Sequence, residues 1–218
     1  MRFARLNGVG IGLAGSLIAG LLLINSALPE VAAAPGADSG PAVLVSAARP
    51  NFELPFPCGQ QWRLDSYAAT HAPGLDMVRE PDQRGTEGSL VVASASGVIK
   101  QSFYHENRSG ANDGAGNLIQ VDHGGGWFTT YLHLQSRSVQ VGQKVAQGQE
   151  IGHVGKTGKT SNGHPHLHFE QAFDRNGDGY ATWGVQNSER VPAVLHGENY
   201  GENSKTWKNV TSYNSCGS

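Results

Sequence analysis

Short strand-like runs separated by glycine make up most of the chain after residue 50. No stretch there sustains the 3.6-residue apolar period of an amphipathic helix. Several short strands at close spacing predict a mainly β fold, an antiparallel β-sheet sandwich or open barrel with long loops. Residues 177–215 are polar and weakly patterned, which predicts loop with one or two short strands. The predicted strands are 89–95, 98–104, 117–122, 127–134, 151–154 and 166–173.

The first residues follow the order of a secretory signal peptide. Two arginines among the first five residues precede an uncharged, apolar run over 9–23, and Val31 and Ala33 satisfy the small-residue rule for cleavage. We expect cleavage after Ala33, because cleavage one residue later would place Pro35 directly behind the scissile bond. The alternative is an uncleaved anchor, but the run is shorter than the about 20 residues that a membrane span needs.

The sequence therefore predicts a signal peptide over 1–33, a linker or short pro-segment over 34–50 and one folded domain over 51–218. The linker is rich in Ala, Gly, Pro and Ser. The 30 glycines and 16% charged residues are typical of strands and loops. A net charge of −2 gives no indication of a nucleic-acid or anionic-membrane partner. We expect a secreted or cell-wall-associated monomer, without stable membrane association once the signal peptide is removed.

The two cysteines of the chain, Cys58 and Cys216, stand near opposite ends of the predicted domain. An even number of cysteines in an exported protein favours a disulfide, which would join the first and last residues of the domain. The alternative is a pair of unpaired thiols.

The segment His166-Leu167-His168 carries the clearest candidate chemistry. In a strand, residues two apart share a face, so His166 and His168 point the same way, Glu170 extends that face, and Leu167 and Phe169 face the opposite, buried side. Zinc binds neutral histidine nitrogens, and catalytic zinc sites keep one position for water. Both histidines could bind one metal ion, or one could bind while the other lies beside the water. The alternative is a pair of surface histidines.

A second candidate element begins at His71 and ends at Asp76. These two residues could converge only if the chain turns between them, and Ala-Pro-Gly over 72–74 favours a turn. Together with one histidine of the other segment they would supply three protein ligands, the number expected of a catalytic zinc site. Alternatively, Asp76 only caps the turn or pairs with Arg79.

A third candidate is His133, within the predicted strand 127–134. Strict alternation would place Tyr131 and His133 on one face and Leu132 and Leu134 on the other. A histidine that faces a metal cleft can act as a general base or as a donor to a developing oxyanion. The alternative is a hydrogen-bonded histidine on a half-buried sheet.

In this order, the motifs resemble the lysostaphin and β-lytic type of zinc metallopeptidase, enzymes that cut peptide cross-links of bacterial peptidoglycan. The resemblance covers roughly residues 57–172, the motif core of the predicted domain. Three separated motifs in the right order are far more specific than any one of them. They are His71 with Gly74-Leu75-Asp76, then Tyr131-Leu132-His133-Leu134, then His166-Leu167-His168-Phe169-Glu170.

The resemblance implies a role for each residue. His71, Asp76 and His168 would hold one zinc ion per chain, while His133 and His166 would activate water and stabilise the tetrahedral intermediate. Spacing alone leaves open whether His166 or His168 is the ligand, and the resemblance assigns His168. It also implies a groove that holds an extended substrate, a peptidoglycan cross-link or another Gly-rich peptide.

Two departures from the family pattern stand next to these motifs. Two residues, rather than the usual one, separate His71 from Gly74, and His164-Pro165 replaces a single residue before His166. Other classes remain possible: a metal-free, inactive module that binds or regulates at the cell wall, or a structural zinc protein. The presence of every ligand and both catalytic histidines argues against them.

One further motif, residues 174–179, begins like a calcium loop. Oxygen ligands stand at the first, third and fifth positions, but Val185 occupies the twelfth, where a bidentate glutamate belongs. The motif therefore favours a polar turn after the histidine strand.

Overall fold

Almost all regular structure in the protein is β-strand. The computed structural model describes residues 48–66, 71–106, 114–184, 189–201 and 207–217. The predicted signal peptide and residues 34–47 of the predicted linker lie outside them, and the described residues belong to a single compact unit, Leu44–Ser218. A 3-10 turn spans Lys159–Ser161. The strands are β1 Gln61–Asp65, β2 Leu75–Arg79, β3 Leu90–Val92, β4 Gly97–His105, β5 Gly116–Asp122, β6 Trp127–Leu134, β7 Ser136–Arg137, β8 Lys144–Val145, β9 Glu150–His153, β10 Leu167–Phe173, β11 Arg190–Val191, β12 Ala193–Leu195, β13 Glu198–Tyr200 and β14 Trp207–Thr211.

The strands form one large sheet and two small ones. The large sheet has the order β14-β1-β2-β10-β6-β5-β4-β8, with β11 beside β10. A three-stranded sheet has the order β3-β9-β7, and β12 pairs with β13. Neighbouring strands run antiparallel. The predicted antiparallel β fold is confirmed, and within the described ranges it is an open sheet arrangement rather than a closed barrel.

Strand prediction succeeded in the middle of the domain and was incomplete at its ends. The prediction for 127–134 matches β6 at both ends, and the other five predicted strands overlap β3, β4, β5, β9 and β10. The expectation of one or two strands over 177–215 was wrong, because four strands lie there. The last of them, β14, forms the edge of the large sheet, and its side chains are exposed or half-buried. Its sequence therefore lacks the alternation that marks a strand with one buried face.

Alternation in β1 and β2 separates the core from the face that carries polar side chains. Trp62 and Leu64 of β1 are fully buried, as are Leu75 and Met77 of β2. The residues between them, among them Asp76, are half-buried on the opposite face. One hydrophobic cluster contains these four side chains and also residues of the three-stranded sheet. β1 and β2 therefore pack against the core with one face and carry polar side chains on the other.

The termini of the domain are joined covalently. Cys58 and Cys216 form a disulfide across 158 residues of sequence, as predicted. Cys58 lies just before β1 and Cys216 just after β14, and these two strands pair, with Gln61 opposite Thr211. The disulfide therefore closes the end of the sheet where its first and last strands meet. Across the described residues, none of the helical structure is long and apolar enough to cross a membrane.

Candidate metal centre

Asp76 and His168 meet because β2 and β10 are neighbouring strands. The register places them directly opposite each other, so their side chains project from the same face at close range. Oδ1 of Asp76 lies 2.9 Å from Nδ1 of His168. Ninety-two residues of sequence separate the two positions, and the strand pairing alone brings them together.

His71 joins this pair through the predicted turn. The Gly74 amide donates a hydrogen bond to the His71 carbonyl at 3.0 Å, which folds the chain back between His71 and Asp76. Nε2 of His71 then lies 3.0 Å from Oδ1 of Asp76 and 3.1 Å from Nδ1 of His168. A β-carbon on Gly74 would stand 3.0 Å from Cε1 of His168. The turn can therefore approach the His168 ring this closely because residue 74 has no side chain.

The three ligand atoms fit a small divalent cation. His71, Asp76 and His168 each offer one atom, and the three lie within 4.8 Å of one another. Tetrahedral zinc with bonds of about 2.0–2.1 Å keeps its ligand atoms about 3.3 Å apart, so shifts of a few tenths of an ångström would admit the ion. Two imidazoles and one carboxylate are also a donor set that zinc accepts.

Negative charge accumulates around the His168 ring. Burial would lower the pKa of His168, but hydrogen bonds to Asp76 and Glu170 raise it to about 9. Burial would raise the pKa of Asp76, but hydrogen bonds from His168 and His71 hold it well below its ordinary value. The lowered pKa keeps Asp76 ionised and available as an anionic ligand, and the two carboxylates beside His168 favour positive charge at this point, as a cation site requires.

A buried ion pair lies behind His168. Nε2 of His168 is 2.9 Å from Oε1 of Glu170, which is 3.4 Å from Nη1 of Arg190. Glu170 also accepts a hydrogen bond from the Gly184 amide at 3.0 Å. Arg190 donates a second hydrogen bond to the His71 carbonyl at 3.0 Å. Arg190 thus connects the backbone of one ligand with the carboxylate behind another.

Sequence reasoning placed Glu170 on the face of His168 but assigned it no role, although alternation along the strand was sufficient to suggest one. Arg190 was missed, because it lies in the weakly patterned segment and reaches the site only through the pairing of β11 with β10.

His133 enters the site through a β-bulge. Asn117 faces Leu134 and Ile119 faces Tyr131, so β6 has one residue more than β5 between these pairs. His133 has a φ of 65°, a left-handed conformation that is uncommon for residues other than glycine. Bulges of this kind redirect side chains and are frequent next to active sites.

The bulge also corrects the expected arrangement of faces. Tyr131 and Leu134 belong to the main core, whereas Leu132 packs in a separate small cluster with Ala115 and Leu118. The expectations that Tyr131 and His133 share one face and that Leu132 and Leu134 share the other were therefore wrong. The extra residue in β6 reverses the alternation after Leu132.

His133 and His166 lie side by side, with ring centres 4.8 Å apart. Nδ1 of His133 is 3.0 Å from the Thr157 carbonyl, and Nδ1 of His166 is 2.8 Å from the His164 carbonyl. A carbonyl only accepts hydrogen bonds, so each Nδ1 carries the hydrogen and each Nε2 keeps a lone pair. Nε2 of His166 points towards the cluster, 3.5 Å from Oδ1 of Asp76.

Burial keeps both of these imidazoles neutral. It lowers the pKa of His166, and it lowers the pKa of His133 to about 3, with a further contribution from His168 and His166. Near neutral pH both rings can therefore accept a proton. His166 lies just before β10 rather than inside it, yet its ring and that of His168 both reach Asp76, as the shared face predicted.

Residues 78–180 match the sequence profile of peptidase family M23. The chain contains a peptidase family M23 domain. The matched region contains His133, His166 and His168, whereas His71 and Asp76 lie just before it.

Curated relatives of the M23 domain include two peptidoglycan DD-endopeptidases of Vibrio cholerae. ShyC is 39% identical over 92 residues, which cover 40% of this chain and 19% of the relative. ShyA is 33% identical over 120 residues, which cover 53% of this chain and 26% of the relative. The chain thus matches about a fifth to a quarter of the length of these relatives. Among solved structures, the catalytic domain of lysostaphin from Staphylococcus simulans is 26% identical with a TM-score of 0.41, covering 64% of this chain and 84% of that one.

The remaining histidines of the M23 domain lie apart from the three-ligand cluster. His164 is exposed and contributes its backbone carbonyl to His166. His105 accepts a hydrogen bond from the Ala115 amide, and His123 and His153 bond to Thr129 and Ser136. None of these three belongs to the cluster.

The loop at residues 174–179 uses its oxygen atoms within the loop itself. The two carboxylate oxygens of Asp174 accept hydrogen bonds from the Gly177 and Gly179 amides at 2.7 and 2.8 Å. Oδ1 of Asn176 accepts one from the Asp178 amide at 2.9 Å. These contacts are those of a polar turn, as expected.

Proposed function

We propose that the chain is a secreted zinc metalloendopeptidase that hydrolyses peptide bonds in peptidoglycan cross-links. The observation that carries this proposal is the convergence of His71, Asp76 and His168, with the neutral rings of His133 and His166 beside them. The M23 domain and the relatives named as peptidoglycan DD-endopeptidases support a peptide hydrolase with this substrate class.

In this proposal, His71, Asp76 and His168 hold the zinc ion. When bound, zinc lowers the pKa of its water to about 7 and polarises the scissile carbonyl. Glu170 fixes the His168 ring by accepting the hydrogen of Nε2, so that Nδ1 faces the ion. A carboxylate behind a ligand histidine sets its tautomer and orientation in this way.

The two neighbouring histidines handle protons. The lone pair on Nε2 of His166, held towards Asp76, accepts a proton from the attacking water, because the Nδ1 hydrogen is already donated to the His164 carbonyl. His133 lies beside that ring. The proton that His166 takes from the water passes to Nε2 of His133, which then donates it to the oxyanion that develops on the substrate. Both rings are prepared for these roles by burial, which keeps them neutral before the reaction.

The test is digestion of purified cell walls by the exported protein, with mass analysis of the released peptides. We expect cleavage of cross-links that stops on chelation and returns with zinc. A well-folded, zinc-loaded protein that releases no peptide from any wall type would contradict the proposal.

Two alanine variants test the unequal roles of the histidine pair. His168→Ala should lose zinc and activity together. His166→Ala should keep one zinc per chain and lose activity by about 10²–10⁴-fold, the usual contribution of a general base. Full activity in His166→Ala, or loss of zinc from it, would overturn this assignment.

Export is a separate part of the proposal. We propose cleavage after Ala33, which N-terminal sequencing of the exported protein would test. A mature chain that begins with Ala34 is the expected result, and an intact N-terminus would indicate an anchor.

A further inference from the structure

A polar cleft of about 280 Å³ opens beside the candidate metal centre. Its floor is the outer face of β1 and β2, where alternation places Arg63 and Asp65 on the same side as Asp76. Its opposite wall is the loop over 160–166, which ends at His166. A ligand in this cleft would therefore touch the site of chemistry at one end and Arg63 at the other.

Arg63 is held in place by its surroundings. Its guanidinium lies over the Trp207 ring, 4.0 Å from the ring centre, and 3.6 Å from Oε1 of Glu80. With its amide oriented to match, Gln83 accepts hydrogen bonds from both terminal nitrogens at 3.2 Å. An arginine stacked on an aromatic ring is already ordered, so it loses little further freedom when it binds a ligand.

The hydrogen-bonding capacity of Arg63 is not used up. The guanidinium has five N–H donors, whereas Glu80 lies at ion-pair distance rather than hydrogen-bond distance, and Gln83 takes two of them. Nε of Arg63 is buried and has no hydrogen-bond partner among the described residues, so the donors left for a ligand are the remaining hydrogens of the two terminal nitrogens. The side chain is 17% exposed, on the floor of the cleft. Such a group suits an anion that accepts charge-assisted hydrogen bonds, and a carboxylate is the commonest.

Arg63 also lies close to the candidate metal ligand Asp76. In the sheet it faces Val78, and Asp65 faces Asp76, so Arg63 and Asp76 are diagonal neighbours. Diagonal positions of this kind lie about 7–8 Å apart, roughly two residues of extended peptide. A carboxylate bound by Arg63 would belong to a residue next to the bond at the metal.

We propose that Arg63, supported by Gln83, binds a free carboxylate of the cross-linked peptide and so selects substrates with a carboxylate close to the scissile bond. This subsite rests on the proposed hydrolysis of peptidoglycan. Asp65 and Glu80 place negative charge in the same region. They weaken the attraction for every anion, the carboxylate included, so recognition depends on hydrogen bonds from the guanidinium more than on net charge.

The experiment compares two substrates and three variants. The substrates are cross-linked muropeptide dimers with their carboxylates intact, and the same dimers with the carboxylates converted to amides. The variants are Arg63→Met, Arg63→Lys and Arg84→Met. Arg84 is the matched control, since its side chain is 90% exposed, is paired with Asp82 and does not line the cleft.

We expect the unmodified protein to cleave the intact dimers at least about tenfold more efficiently, in kcat/KM, than the amidated ones, as the loss of a charged hydrogen bond predicts. Arg63→Met should cut the intact dimers no faster than the amidated ones and should keep one zinc ion per chain. Arg63→Lys should keep part of the preference, and Arg84→Met all of it.

Equal cleavage of both substrates by the unmodified protein would overturn the subsite, as would a loss in Arg63→Met that is the same for both. Calorimetric titration of the two dimers separates this inference from the hydrolysis on which it rests. The unmodified protein could bind the intact dimers more tightly than the amidated ones, lose this difference in Arg63→Met, and cleave neither substrate. That result would contradict only the proposed hydrolysis. Equal binding would contradict the subsite whether or not cleavage occurs.

Discussion

The two nitrogens of His168 each face a carboxylate: Nδ1 lies 2.9 Å from Oδ1 of Asp76, and Nε2 lies 2.9 Å from Oε1 of Glu170. Asp76 is a candidate ligand on the neighbouring strand, whereas Glu170 stands two residues further along the strand of His168 itself. The ring is therefore fixed from both sides before any ion binds. The affinity for metal should therefore depend on Glu170, which is not one of the candidate ligands.

We expect Glu170→Gln to weaken zinc binding by about 10–100-fold, the usual effect of removing a carboxylate behind a ligand histidine. The substitution also removes the negative charge that faces the buried guanidinium of Arg190, so thermal stability should fall as well. Competition with a chromophoric chelator measures the affinity. Glu87→Gln is the control, because Glu87 pairs with Lys156 on the surface, and its zinc affinity should be unchanged. Equal affinities in the two variants would contradict the role of Glu170.

Gly74→Ala should also weaken zinc binding, through the turn between His71 and Asp76. The added β-carbon would stand 3.0 Å from Cε1 of His168 and 3.2 Å from the His71 carbonyl oxygen. The ring has little room to move, because Asp76 and Glu170 hold it. We expect zinc affinity to fall by about tenfold while the fold is retained, as measured by chelator competition and thermal unfolding. Unchanged affinity would show that the turn can shift without disturbing the ligands.

Removal of the disulfide should destabilise the domain strongly. Cys58 and Cys216 close a loop of 158 residues, for which the loop-entropy model gives about 5 kcal/mol, an upper value in practice. We expect the free energy of unfolding of the double variant Cys58→Ser, Cys216→Ser to be several kcal/mol smaller, and its urea midpoint to be lower. Comparison with the reduced unmodified protein distinguishes the bond from the serine side chains. A loss of less than about 1 kcal/mol would mean that the pairing of β1 with β14 suffices.

His123 should make stability depend on pH. Burial lowers the pKa of His123 to about 4, against smaller opposite effects of the Ser96 carbonyl and Asp122. Below pH 6.5, the ordinary pKa of histidine, His123 is protonated in the unfolded chain but stays neutral in the folded chain until about pH 4. The free energy of unfolding is therefore highest above pH 6.5. It falls between pH 6.5 and pH 4 by at most about 1.4 kcal/mol per pH unit. His123→Gln should lack this loss. The free energy of unfolding in urea is measured for both proteins at about pH 7 and about pH 5. The difference between the unmodified protein and His123→Gln should be smaller at the lower pH by about 1–2 kcal/mol. A constant difference would contradict the prediction.

Much of the fold followed from local patterns. The alternation that marks a half-buried strand predicted β6 at its observed ends and the buried side of β10, where Leu167 and Phe169 are fully buried. The Ala-Pro-Gly turn predicted that His71 and Asp76 converge, and their atoms do meet. Edge strands such as β14 were missed, because a strand with little burial carries little pattern.

The sequence by itself determined which residue types are available for chemistry and which of them share a face within one strand, because side-chain direction along a strand depends only on neighbouring residues. The tertiary structure decided which strands are neighbours, and so brought Asp76 opposite His168 and Arg190 behind Glu170. It also decided the bulge at His133, which reversed the expected faces. Register and bulges depend on contacts between distant parts of the chain, which no local period records.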